Sequence, residues 1–283
     1  MRRRLVALAV ALALGMTSGP GGAEPEDVAA PDPGVPVVTL DALPLAVPTP
    51  ELSGPARARA ESVLARSAFA QRVTGIRFTS REDVYRFLLD HPDFAASVAR
   101  ALRVGEYRVI ARDDDYWGDD NRGATGVIRV LYADEQRRLY HLEGRYEQRW
   151  LPTIEAQLLV LLEFQHEPDE AGGTIVEQSL TGHVRIDTPM VGGLAQTLGT
   201  LSRPLVERAV ERKVRRFFRT VARVTRWAHD EPEKLAAALD GHPEVEPGAT
   251  AAAFRALLLA GRPPAWVRTP FRLTSERPSL EGP

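Results

Sequence analysis

The 283-residue chain contains no cysteine. Disulfides, a cysteine nucleophile, thiolate metal centres and a lipid-modified N-terminal cysteine are therefore excluded. A charge of one sign is lacking too: 36 basic and 38 acidic residues leave a formal net charge of −2. That balance gives no reason to expect a nucleic-acid partner or a polyanionic tail. No P-loop, G-x-S-x-G elbow, dinucleotide fingerprint or HExxH is present, and His91, His141, His166, His183, His229 and His242 are scattered. No cofactor and no catalytic residue is assigned on this basis. After the first residues, no apolar run approaches the ~20 residues that a bilayer span needs.

What is present starts with Arg2, Arg3 and Arg4, followed by LVALAVALALGM and a small-residue stretch ending in Gly21-Gly22-Ala23. This order is that of a secretory signal peptide over residues 1–23, cut after Ala23. The alternative is an uncleaved segment anchoring the chain in the inner membrane. An exported chain without disulfides suits a periplasm and has to be stabilised by its core. Residues 24–52 carry seven prolines (25, 31, 33, 36, 44, 48 and 50) and read as a semi-rigid, disordered linker.

Order is expected from residue 53. PARARAESVLARSAFAQRV places Ala60, Val63, Leu64 and Ala68 at helical spacing. Ser80 and Asp83 form a capping-box pattern before Val84, Phe87 and Leu88, and Pro92 opens a third helix. The period then changes to two. Residues 107–111, 125–133, 138–150, 153–165 and 173–187 read as strands separated by turn residues, hence as an antiparallel meander. In the last of these Val176, Gln178, Leu180, Val184 and Ile186 share one face, opposite Glu177, Ser179, Thr181, His183 and Arg185.

Helical period returns from about Leu194 to Trp227, with an apolar stripe that includes Leu205 and Phe217. The other face carries Arg203, Arg208, Arg212, Lys213, Arg215, Arg216, Arg219, Arg223 and Arg226. It can be a solvated face, or it can meet anionic lipid head groups. A second capping-box pattern, Asp230 with Glu233, and Gly241 frame a further helix, and ATAAAFRALLLA reads as the last.

Short helices, an antiparallel meander and one long amphipathic helix make an α+β fold, with the sheet curved around the helix. This order, from FTSREDVYRFLLD through the hairpins to residues 202–228, resembles the helix-grip fold of START-like lipid-binding and polyketide-cyclase-like domains. The resemblance covers about residues 72–230 and rests on element order. It implies a START-like domain over 53–230, a helical extension over 231–261 and a flexible tail over 262–283. It also implies an apolar cavity between sheet and helix.

The residues expected to line that cavity are Tyr132, Tyr140, Leu142, Tyr146, Trp150, Leu158, Val160, Leu162, Val176, Gln178, Leu180, Leu205 and Phe217. Tyr116 and Trp117 are expected at its mouth. Buried phenols and indoles need hydrogen-bond partners, and Gln178 is the polar group expected to point inward. The aspartate-rich RDDDYWGDD (112–120) fails the calcium-loop register, since Trp117 and Ala124 occupy ligand places. It reads as a polar hairpin turn, with no metal. His141, Glu143 and His183 fall on the face opposite the cavity.

The expected function is an exported, non-catalytic binding protein for an apolar small molecule or lipid, periplasmic or secreted. Two alternatives stay open: a cyclase- or dehydratase-like enzyme using cavity tyrosines or Gln178, and an envelope interaction module with a filled core.

Overall fold

A computed structural model of the chain describes residues 37–39, 49–148, 151–168, 174–188 and 203–260. The expected signal peptide, most of the Pro-rich linker, Trp150 and the tail over 262–283 lie outside these residues. The fold is α+β. Its strands are β1 (Val37–Thr39), β2 (Phe69–Thr79), β3 (Arg108–Arg112), β4 (Asp115–Asp119), β5 (Ala124–Ala133), β6 (Arg137–Gln148), β7 (Leu151–Pro168) and β8 (Thr174–Ile186). The helices are α1 (Gly54–Leu64), α2 (Glu82–Asp90), α3 (Pro92–Ala101), α4 (Arg203–Asp230), α5 (Pro232–Leu239) and α6 (Ala249–Leu259).

All strands pair antiparallel in the order β1-β2-β8-β7-β6-β5-β4-β3. Strands β3 to β8 form the meander, and β2 joins at β8. Strand β1 falls inside the expected linker, where Val37-Val38-Thr39 are β-favouring residues that pair with Gln71, Arg72 and Val73.

Two strands depart from the sequence expectation. The N-terminal helix stops at Leu64, and Phe69–Thr79 is a strand. A bulge between Val73 and Ile76, with Gly75 at φ 70°, turns both side chains inward three residues apart. That spacing imitates a helix. The aspartate-rich segment is also more than a turn, because Asp115–Asp119 is strand β4 between β3 and β5. Its polar side chains hid it from a search for alternating hydrophobics.

Neither capping-box pattern forms a cap. The residue preceding α2 is Arg81 and that preceding α5 is Glu231, both without side-chain caps. The Ser80 amide instead donates to the Thr174 carbonyl at the end of β2, and Asp83 accepts from the next amide, Val84 N–H. Pro92 does open α3.

Three apolar clusters organise the packing. On the inner face of the sheet, Val73, Ile154, Leu158, Leu162, Phe164, Val176 and Val184 pack with Val214 and Phe218 of α4. A second cluster joins α2 and α3 to the end of α4, α5 and α6 through Leu88, Phe94, Ala228, Leu235, Phe254 and Leu258. The C-terminal helices are thus fastened to the domain, where Arg81 also donates to the Leu257 and Leu258 carbonyls.

The third cluster lies on the outer face. Small residues Ala56 and Ala60, with Val63, seat α1 on Leu139, Leu159 and Leu161. His141 and His183 each pair with Leu159 across neighbouring strands, and they are only 2% and 8% exposed. Burial holds both imidazoles below their ordinary range. At His141 a hydrogen bond with Gln157 and the Glu143 charge oppose this, while Arg129 and Arg59 add to it. No partner for either ring nitrogen of His183 exists among the described residues.

The packed sheet therefore holds fewer protons than a state with α1 released. Its advantage is complete above the ordinary imidazole value of 6.5 and diminishes as pH falls below it. Amide protection over residues 54–64, corrected for the intrinsic pH dependence of exchange, is accordingly expected to fall between pH 7 and pH 5. Replacing both imidazoles (His141→Leu, His183→Leu) should flatten that response, and equal protection factors in the parent protein at both pH values would contradict the account.

Candidate functional site

Between the inner face of the sheet and helices α2, α3 and α4 lies a cavity of about 310 Å³. Its apolar walls come from Leu88 and Leu89 of α2, Ala95 and Ala99 of α3, Ile128, Leu142, Leu158, Val160, Leu162 and Leu180 of the sheet, and Phe217, Phe218, Val221 and Val224 of α4. The strand residues arrive there because alternate positions of β5 to β8 share a face, and the register aligns Ile128, Leu142, Leu158 and Val184 in one row.

The next row explains the space. Gly118, Gly126, Gly144 and Ala156 are consecutive partners across β4, β5, β6 and β7. Three of these positions project no side chain, and all three glycines border the cavity. The backbones also crowd here: a Cβ on Gly126 would meet the Glu143 carbonyl oxygen at 2.5 Å and Gly144 Cα at 2.7 Å. A Cβ on Gly144 would meet the Thr125 carbonyl oxygen at 2.5 Å. Sequence reading passed over these glycines, although their alternation within apolar strands was a usable signal.

Polar groups on the wall are few. Tyr85 of α2 is buried, and its hydroxyl donates to Gln178 Oε1. Burial raises the Tyr85 phenol well above its ordinary value, with Tyr140 adding to the effect. Gln178 sits behind this phenol on the inner face, 2% exposed, and its Nε2 has no hydrogen-bond partner among the described residues. Tyr140 and Tyr107 also border the cavity, and burial is the main cause of their raised pKa values. Thr220 faces it from α4, with its hydroxyl donating to the Val104 carbonyl at 2.9 Å.

Of the residues singled out from sequence, Tyr140, Leu142, Leu158, Val160, Leu162, Leu180 and Phe217 border the cavity. Tyr146, Val176 and Gln178 are buried on the same face but belong to the solid part of the core. Leu205 lies in α4, but its side chain is outside the described residues.

Tyr132 is a correction. A bulge between Val130 and Tyr132 moves it to the outer face, where it pairs with Leu139 and packs near α1. Its hydroxyl lies between the Glu51 and Asp134 carboxylates, with Arg137 over its ring at 5.1 Å. Tyr116 and Trp117, expected at the mouth, belong to β4. Neither is among the residues that border the cavity; Tyr116 pairs with the bordering Ile128, and Trp117 pairs with Val127 and stacks under Arg112 at 5.3 Å.

The aspartates have structural tasks. Asp115 pairs with Arg129 at 2.9 Å, Asp119 accepts the Asn121 amide, and Asp120 accepts the Arg122 and Ala124 amides. Among the described residues no group of three or more His, Asp or Glu side chains could hold a metal ion. His141 and His183 are on the outer face under α1, away from the cavity, and Glu143 is engaged by Arg129 at 3.1 Å.

No protein-family model matches the chain, and no curated protein matches it. Among solved structures it is similar to a conserved protein from Geobacillus kaustophilus, with a TM-score of 0.39 and 10% identity over 54% of this chain and 92% of that one. It is also similar to Ara h 8.0201, with a TM-score of 0.26 and 10% identity over 52% of this chain and 96% of that one. What the cavity can hold follows from its own lining.

The crowded glycine row makes a direct prediction. Gly126→Ala should destabilise the protein by about 1–3 kcal/mol, because backbone has to shift to admit the methyl group. Thermal melting checks this. Gly182→Ala is the control, since a Cβ there meets nothing within 4 Å, and it should be far milder.

Proposed function

We propose that this chain is an exported binding protein that holds an apolar small molecule of the lipid class between its sheet and α4, without transforming it. The cavity is the observation that carries this reading. Its volume of about 310 Å³ is within the ~300–1,000 Å³ range of ligand sites, and its wall is mainly apolar, with three phenols and Thr220 on it and Arg108, Asp119, Asp120, Thr125 and Glu143 also bordering it. An empty apolar volume lowers stability by about 24 cal/mol per Å³, so a guest that fills it is favoured. The volume also argues against the filled-core interaction module.

The element order supports a helix-grip arrangement of the START-like kind: helices after β2, a meander, then α4. The basic N-terminal segment followed by a short apolar run supports export. The exposed arginines of α4 (Arg219, Arg223 and Arg226) supply a face for anionic head groups while a guest is exchanged.

Native mass spectrometry of gently extracted protein should find a bound apolar compound, and a fluorescent fatty acid should bind to stripped protein. Leu158→Trp or Val160→Trp fills the cavity and should weaken that binding at least about tenfold, the equivalent of ~1.4 kcal/mol. Protein that carries no guest and takes up no probe would overturn the reading. The mass of the secreted protein tests export, with cleavage expected after Ala23.

A further inference from the structure

Three phenols from three different elements border the cavity: Tyr85 of α2, Tyr140 of β6 and Tyr107 before β3. They are not equivalent. The hydroxyl of Tyr85 is engaged by Gln178. The hydroxyls of Tyr140 and Tyr107 have no hydrogen-bond partner among the described residues.

Both rings are firmly held. Tyr107 lies 6.1 Å from the Phe217 ring of α4, and its backbone carbonyl accepts from Arg100 Nη1 at 2.9 Å. Tyr140 is clamped by strand pairing between Val130 and Val160.

A phenol in an apolar enclosure loses its hydration and needs a partner in return. Burial raises the Tyr140 phenol above its ordinary range, with Asp90 and Tyr116 adding and Arg138 opposing, and it pushes Tyr107 up to about 12 against a weaker effect of Arg100. Both therefore keep their protons at physiological pH, and each can donate to an acceptor oxygen. An acceptor oxygen on a guest complements each hydroxyl, and the two come from different elements, β6 and the segment before β3, that border a mainly apolar space.

We propose that the guest is an apolar molecule bearing two separated acceptor oxygens, carbonyl or hydroxyl, that are hydrogen-bonded by Tyr140 and Tyr107. This rests on the apolar-binding reading above and narrows it: a plain hydrocarbon or an unadorned acyl chain leaves both phenols unanswered. The two hydroxyls then set selectivity, because rejection of the wrong guest comes from donors left unpaired.

A matched pair of rigid probes tests this on the full-length mature protein. Anthraquinone and anthracene share a ring frame, and only the former carries two opposed carbonyl oxygens. Tyr140→Phe and Tyr107→Phe should each weaken anthraquinone about 3- to 10-fold, the worth of one hydrogen bond, and leave anthracene unchanged. Unchanged anthracene binding also reports that the variant cavity is intact. If the parent protein binds both probes, and both variants hold anthraquinone within twofold of the parent, the two-oxygen guest is overturned while the apolar site stands. If the parent takes up neither probe, the apolar site fails and this inference fails with it.

Discussion

At one level of the sheet, four adjacent strands carry nothing larger than a methyl group. The row Gly118, Gly126, Gly144 and Ala156 is what keeps the inner face from meeting α4 as a solid layer. Native interiors pack close to crystal density, and large side chains on facing elements would ordinarily fill such a gap. Here the backbones of β5 and β6 approach so closely that side chains are excluded at Gly126 and Gly144. The neighbouring row of Ile128, Leu142 and Leu158 then becomes a wall and not a filling. Cavity, wall and polar attachment points all depend on that crowding.

The sheet can tolerate a hollow on one face because the other face is solid. Strand β7 is buried on both sides, with Leu158, Val160 and Leu162 inward and Leu159 and Leu161 outward under α1. An antiparallel strand covered twice reads as a continuous apolar run, and LLVLL is such a run. The outer cluster holds the frame without calling on the cavity wall, while the helical cluster of α2 to α6 shares Leu88, Ala95 and Val224 with it.

The parts of the fold legible in the sequence were those where one physical signal acted alone. Clean alternation exposed β8, and the apolar run exposed β7. The long stripe exposed α4, whose span is Arg203–Asp230. Competing signals hid the rest. A bulge in β2 converts a period of two into a spacing of three, which imitates a helix, and a second bulge sends Tyr132 to the outer face. Acidic side chains masked β4, whose aspartates serve turns and ion pairs. The cavity was read through its strand residues, such as Tyr140, Leu158 and Leu180. Phe217 of α4 was read too, but glycines project nothing, and Tyr85 and Tyr107 come from a helix and a connecting segment that periodicity does not align with the sheet.

The junction of β2 with β8 has a kinetic meaning. Phe69 meets Val184, whereas the remaining long strands meet their neighbours in the chain. Hairpins from β3 to β8 can form locally and early, but the β2–β8 seam has to wait for a large loop to close. Until then β8 presents an open ladder of amides and carbonyls to any passing strand. A polypeptide emerging N-terminus first therefore keeps β2 unsatisfied until β8 has been delivered, which makes the completion of this seam the slow, aggregation-exposed step of its biogenesis.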